Sequence, residues 1–154
     1  MNIMNKDQYY MLEAIKEAKK AYKKNEVPVG AIIVINDLII SRAHNLTEST
    51  KSSLAHAEVL AIKRACQTLG YSILNEATIY STLEPCLMCT GAIYQSRIKR
   101  VVYGTFEPKF GTLGSIIDVS KIEGFNHQVE VVRGIHANEI SVLMKSFFQK
   151  LRLR

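Results

Sequence analysis

The apolar residues of this chain change period repeatedly along its length, and no fold built from one kind of secondary structure accommodates that. Met11, Ala14, Ile15, Ala18 and Ala21 recur at spacings of three and four, which predicts an amphipathic helix over 5–24. Lys16, Glu17, Lys19, Lys20, Lys23 and Lys24 are expected on its other face. Pro28-Val29-Gly30 breaks that period. The apolar, β-branched stretches 31–35 and 38–43 then predict two strands joined at Asn36-Asp37 in an antiparallel hairpin. A second helix is expected over 54–69, closed by Gly70 as a left-handed C-cap, with Val59, Ile62, Cys66 and Leu69 as its buried stripe. A strand over 77–82, a helix over 86–96 entered at Pro85, a strand over 100–103 and a loop over 105–114 follow. The remainder predicts a short helix over 115–122, a strand over 129–133 and a closing helix over 137–151. That last helix is expected to bury Ile140, Leu143, Met144, Phe147 and Leu151. Helices interleaved with strands predict one α/β domain whose sheet is covered on both faces.

A chain of 154 residues can form a sizeable core without disulfide staples. With 47% hydrophobic and 22% charged residues, it is neither disordered nor collagen-like. The apolar stretch around 27–35 is interrupted by Pro28 and Gly30, so no membrane span is expected. The N-terminal MNIMNKDQYYM lacks the apolar centre of an export signal, and a cytoplasmic location is expected. Charge is unevenly distributed. Residues 1–96 carry 10 basic and 9 acidic side chains, whereas 97–154 carry 10 basic and 5 acidic. Such an excess points to an anionic partner for the C-terminal part, nucleic acid being the commonest, against the alternative of a solvated basic face.

The cysteines number three, Cys66, Cys86 and Cys89. An odd count argues against a disulfide framework. Cys66 falls on an apolar helical stripe and is expected to be a buried structural thiol. Pro85-Cys86-Leu87-Met88-Cys89 opens a helix, where residues three apart share a face and the helix dipole favours thiolates. Alone, this pair reads either as a redox motif or as half of a zinc site. His56 in Ala55-His56-Ala57-Glu58 supplies the complement, because one imidazole, two thiolates and a water complete a tetrahedral zinc with an open position. Cys66 lies ten residues along its helix from His56, about 15 Å, too far to share the ion. His44, His127 and His136 have no neighbour at ligand spacing. Glu58 reaches the same point as His56 only if the pair sits at a helix terminus, since two residues within a helix diverge by about 200°. There it would serve as a proton carrier without ligating the metal.

His56-x-Glu58 followed by Pro85-Cys86-x-x-Cys89 is the zinc deaminase signature. The chain resembles that superfamily, and most closely its bacterial tRNA-specific adenosine deaminases. Beyond the signature, the resemblance rests on Val27-Pro28-Val29-Gly30-Ala31, Ala43-His44-Asn45, Thr82-Leu83-Glu84, Ser96-Arg97-Ile98 and Arg100-Val101-Val102-Tyr103-Gly104. It continues through Pro108-Lys109-x-Gly111, Gly114-Ser115, Phe125-Asn126-His127 and Phe147-Phe148. The resemblance implies a cytidine-deaminase-like three-layer α/β/α fold around a mixed five-stranded sheet. It also implies one deaminase domain over 1–154, with the helix over 137–151 contributing to the tRNA-binding surface.

The implied activity is hydrolytic deamination of adenosine to inosine at the wobble position of a tRNA anticodon. One zinc ion per subunit would be held by His56, Cys86 and Cys89, with Glu58 as the proton shuttle. Asn45 would hydrogen-bond the base, Val29 would pack against it, and Ala57, Glu107 and Lys109 complete the implied substrate-binding set. The anticodon arm of an arginine tRNA and a homodimeric assembly are implied as well. Two residues depart from the expected pattern: Glu107 replaces the usual Asp, and Phe110 replaces a small residue. Two other functions share parts of these features. One is deamination of a free base or nucleoside, such as guanine or cytosine. The other is non-catalytic RNA binding around a structural zinc, which leaves Glu58 without a purpose.

Overall fold

The computed structural model describes residues 4–153. Helix α1 (Lys6–Lys23) starts in a reciprocal capping box. Asn5 Oδ1 accepts from the Gln8 amide at 2.8 Å, and Gln8 Oε1 accepts from the Asn5 amide at 3.0 Å. Strands β1 (Gly30–Ile35) and β2 (Leu38–His44) form the expected hairpin. Its turn residues Asn36 and Asp37 have φ of 50° and 63°, as the right-handed strand twist requires of a two-residue turn. A short helix α2 (Thr47–Thr50) precedes α3 (Ala57–Leu69). Strand β3 (Thr78–Leu83), helix α4 (Leu87–Gln95), strand β4 (Arg100–Thr105), strand β5 (Glu130–Val132) and helix α5 (Ala137–Arg152) complete the order.

The sheet runs β2-β1-β3-β4-β5. β1 is antiparallel to both its neighbours, while β3, β4 and β5 are mutually parallel. Ile32, Val34, Tyr80 and Val102 pack with Met11, Ile15 and Ile140 of α1 and α5. Ala31, Ile33, Ile79 and Val101 pack on the opposite face with Ala61, Ala65 and Ile93 of α3 and α4. The result is the three-layer α/β/α arrangement with a mixed five-stranded sheet. α1 lies so close to β1 that a Cβ on Gly30 would sit 2.1 Å from the Ala14 carbonyl oxygen, which makes any larger residue there incompatible with this packing.

Several elements differ from expectation. α3 begins at Ala57 rather than at 54, because the chain over 52–56 makes turn hydrogen bonds such as His56 N to Leu54 O at 2.9 Å. Its buried stripe is Ala57, Glu58, Ala61, Ile62 and Ala65, and the three alanines let the helix approach the sheet. Val59, Cys66 and Leu69 lie at the edge of that face and are half-buried. Only a single 3-10 turn (Val119–Lys121) forms within 115–122, since Leu113 pairs with Asp118 and Gly114 N donates to Ile117 O. β4 runs through Gly104 to Thr105, and α5 buries Ile140 and Phe147 but leaves Leu151 exposed. α2 went unpredicted: its amides at Glu48 and Ser49 donate to the buried Glu26 carboxylate at 2.9 and 2.6 Å. Glu17, expected on the charged face, is buried in an ion network with Lys20, Arg42 and His44.

Asp7 ties α1 to the sheet through two bonds from Arg100, at 2.8 and 2.6 Å, and one from the Tyr80 hydroxyl at 2.7 Å. Chiefly through Arg100, and against the opposing effect of burial, its carboxyl is held below the ordinary aspartate value. A depressed carboxylate stabilises the fold above its unfolded pKa, and that contribution disappears as pH falls through the folded value. Asp7→Asn is therefore expected to cost about 2 kcal/mol in denaturant unfolding at pH 7. The difference from the parent should close in acid, below the ordinary value of 3.8.

Candidate active site

Strand register brings distant segments to one end of the sheet. Ala31 pairs with Ser81, Gly30 with His44 and Leu83 with Thr105, so the residues just beyond these pairs converge. These are Val29, Asn45, Glu84-Pro85-Cys86 and the loop after Thr105. The end concerned is the carboxyl end of the parallel strands, where α/β sheets place their ligands.

His56 is the N-cap of α3, with extended backbone at φ −75° and ψ 148°. The helix-terminus condition is thus met, and His56 and Glu58 are not separated by a full helical offset. Cys86 is the N-cap of α4, and Cys89 lies in its first turn. His56 Nδ1 is 3.6 Å from Cys86 Sγ and 3.5 Å from Cys89 Sγ. Tetrahedral zinc with Zn–S near 2.3 Å and Zn–N near 2.05 Å requires an S···N separation of about 3.6 Å. The three side chains therefore fit that ion, and among the described residues they are the group of donors able to share one. His44, His127 and His136 are not part of this group, and two of them are engaged elsewhere. His44 contacts Glu17 Oε1 at 3.3 Å and Lys24 Nζ at 2.9 Å, while His127 Nε2–H donates to Ile98 O at 2.6 Å. Cys66 is half-buried, its thiol directed at the Ser72 carbonyl.

The electrostatics separate the groups. A hydrogen bond from the Cys89 thiol, helped by His56 and opposed by burial, lowers the Cys86 pKa to about 4. The same bond, together with burial, pushes Cys89 up. The Cys86 bond also raises the His56 pKa. Glu58 is only 4% exposed, and burial raises its carboxyl to about 7. A carboxyl in that range both takes and gives a proton near neutrality.

Beside this group is a cavity of about 360 Å³, lined by Val29, Asn45, His56, Ala57, Glu58, Cys86 and Glu107, with Val27, Thr47, Leu83, Glu84 and Phe110. Asn45 is fixed in its wall: its amide donates to Val29 O at 3.0 Å, and its side chain bridges the Thr47 amide and Val27 carbonyl at 3.4 Å each. Of the residues expected at the site, all but two line this cavity. Cys89 is fully buried behind it, and Lys109 lies in an adjoining groove of about 750 Å³ between the loop after β4 and α5. Lys145 and Arg152 of α5 also line that groove. Lys150 does not, standing over the Tyr22 ring at 5.3 Å, and Arg154 lies outside the described residues.

Sequence reasoning missed the role of Glu84. Only 1% exposed, its carboxylate accepts from the amides of Glu107, Leu113 and Ser115 at 3.0, 3.1 and 3.0 Å, and from the Ser115 hydroxyl. The loop over 105–115 is wrapped around this one group, and a Cβ on Gly111 would sit 2.3 Å from it. The available signal was an acid beside Pro85-Cys86 and a glycine-bearing loop rich in amide donors. Glu84→Gln turns an NH2 toward donors and is expected to cost about 2 kcal/mol in thermal or denaturant unfolding, with zinc content unchanged.

Comparison with known proteins agrees with this geometry. A model of the MafB19-like deaminase family matches residues 4–152. A tRNA-specific adenosine deaminase of Bacillus subtilis is 52% identical over 149 residues, 97% of this chain and 92% of that protein. One from Rickettsia bellii is 44% identical, covering 92% of this chain and 99% of its own length. A solved structure from work on A-to-I editing by tRNA:A34 deaminases at the wobble position of transfer RNA superposes with a TM-score of 0.84 at 36% identity, over 88% of this chain and 99% of that one. The chain belongs to the MafB19-like deaminases and, among them, to the tRNA-specific adenosine deaminases.

Proposed function

We propose that this protein hydrolytically deaminates adenosine to inosine at the wobble position of a tRNA anticodon, with one zinc ion per subunit. The observation that carries the reading is Glu58, a nearly inaccessible carboxyl lining a base-sized cavity beside a His/Cys/Cys group. In this reading His56, Cys86 and Cys89 hold the zinc. When bound, the ion supplies a Lewis acid that lowers the pKa of water from about 15.7 toward 7. Glu58 accepts the proton released from the attacking water and passes it to N1 of adenine as oxygen adds at C6. It then helps protonate the departing amine, so that the C6–N bond breaks, the amino group leaves as ammonia and the water oxygen stays on C6 of inosine. Asn45 is held in position to hydrogen-bond the ring, Val29 packs against its face, and Ala57 lines the same wall. Glu107 and Lys109 handle the backbone that follows the base.

An anticodon loop presents its bases unpaired, so extrusion into this cavity costs little. The groove beside the cavity carries Lys109, Lys145 and Arg152, which supports a polyanionic substrate lying along α5. We extend the proposal to an arginine tRNA and to a homodimer. In support of the latter, Leu87 and Phe125 are 67% and 49% exposed beside a cavity that also contacts Tyr94. No helix among the described residues is long and apolar enough to cross a membrane. A tRNA substrate supports a cytoplasmic location. The test compares ammonia release from an anticodon stem-loop with release from free adenosine, guanine and cytosine. Turnover confined to the stem-loop is expected. Turnover of a free base with none on the stem-loop overturns the reading.

A further inference from the structure

We infer that Phe110 is a stacking platform for a nucleotide that flanks the target base, and so sets which anticodon loops are processed efficiently. This rests on the proposed tRNA reading. The metal-side cavity and the basic groove share Leu83, Glu107 and Phe110, so these three form the sill between them. A strand with one base in the cavity and its phosphates along Lys109, Lys145 and Arg152 has to cross that sill.

Phe110 is the aromatic group on the sill, and its side chain is 67% exposed. Other rings near the groove are already engaged, Phe106 edge-on to Tyr103 at 5.6 Å and Phe148 edge-on to Phe147 at 5.4 Å. Phe110 makes no such ring contact among the described residues. Its backbone is set before any substrate arrives. Gly111 N donates to Glu107 O at 2.8 Å, Gly111 bridges to Cys86, and Glu84 anchors both ends of the loop. An exposed phenyl on a rigid sill between a base-sized hole and a cationic groove suits a base π-face, which every nucleobase possesses.

The experiment measures kcat and KM on an anticodon stem-loop for the parent, Phe110→Ala and Phe110→Trp. It repeats them on stem-loops with an abasic residue on either side of the target adenosine. Phe110→Ala is expected to lower kcat/KM about 5- to 100-fold on the intact loop, through KM, while Phe110→Trp retains it. On the loop lacking the stacked base, parent and Phe110→Ala should converge. Equal melting temperatures of parent and variant exclude a folding effect, which the exposure of the ring makes the expected result. Equal activity of Phe110→Ala and parent on the intact loop, or a loss that persists on both abasic loops, overturns the stacking role alone. A parent that deaminates free bases and no stem-loop overturns the tRNA reading, and the stacking role with it.

Discussion

Glu58→Ala is expected to yield a folded, zinc-loaded protein that deaminates about 10²- to 10⁴-fold more slowly. The carboxyl is not among the donors grouped around the metal position, so its removal leaves the His56–Cys86–Cys89 set intact. Its loss instead removes the group proposed to carry protons between water, N1 and the leaving amine. Zinc measured by atomic emission should stay at one per chain while kcat falls, and loss of zinc in parallel with activity would assign Glu58 a different role. Glu58→Gln separates shape from proton transfer and should be as inactive. Linkage gives a second signature in the chelated protein. A carboxyl raised by burial contributes stability below its unfolded pKa, near 4.5, and loses it as pH rises through the folded value of about 7. Glu58→Gln lacks that decline, so its stability relative to the parent should grow over that interval and level off above it.

Replacing one of the proposed zinc ligands should have the other large effect. Cys89 is fully buried, and the three donors link the N-termini of α3 and α4, about thirty residues apart in sequence. An ion held there binds the folded chain far better than the unfolded one, and saturation at 1,000 times its Kd adds about 4 kcal/mol of stability. Cys89→Ala, Cys86→Ala and His56→Ala are each expected to reduce zinc below a tenth of an equivalent, to abolish deamination and to lower Tm by about 10 °C. Chelation of the parent should reproduce the fall in Tm. Cys66→Ser serves as the contrast: its thiol faces the Ser72 carbonyl, so zinc and activity should both be retained. A fall in zinc content with Cys66→Ser, or full zinc in Cys89→Ala, would contradict this account of the donor set.

The layered fold was legible because period and punctuation agreed. Pro28-Val29-Gly30, Asn36-Asp37 and Gly70 sit at boundaries that the structure keeps. The clustering of His56, Cys86 and Cys89 was legible because their spacing encodes helix-start geometry, Cys86 and Cys89 three apart with His56 just before a second helix. What escaped were features determined by partners far away in sequence. Glu26 and Glu84 look like ordinary surface acids, yet each is buried because amide donors from another segment surround it. α2 exists because Glu26 caps it, and no pattern within 47–50 announces that. The stripe of α3 differs from its apolar period for a related reason. Periodicity favours large apolar residues as the buried set, whereas close approach to the sheet selects Ala57, Ala61 and Ala65. Leu151 continues the apolar period of α5 yet is exposed, lining the groove rather than the core.

Whether this site acts on a wobble adenosine is tested most directly by sequencing cDNA from total tRNA incubated with the purified protein, since inosine is copied as guanosine. The account predicts adenosine-to-guanosine changes at the wobble position of tRNAs that carry adenosine there, absent with Glu58→Ala. No change at that position, or changes spread over adenosines elsewhere in the tRNA pool, would contradict it.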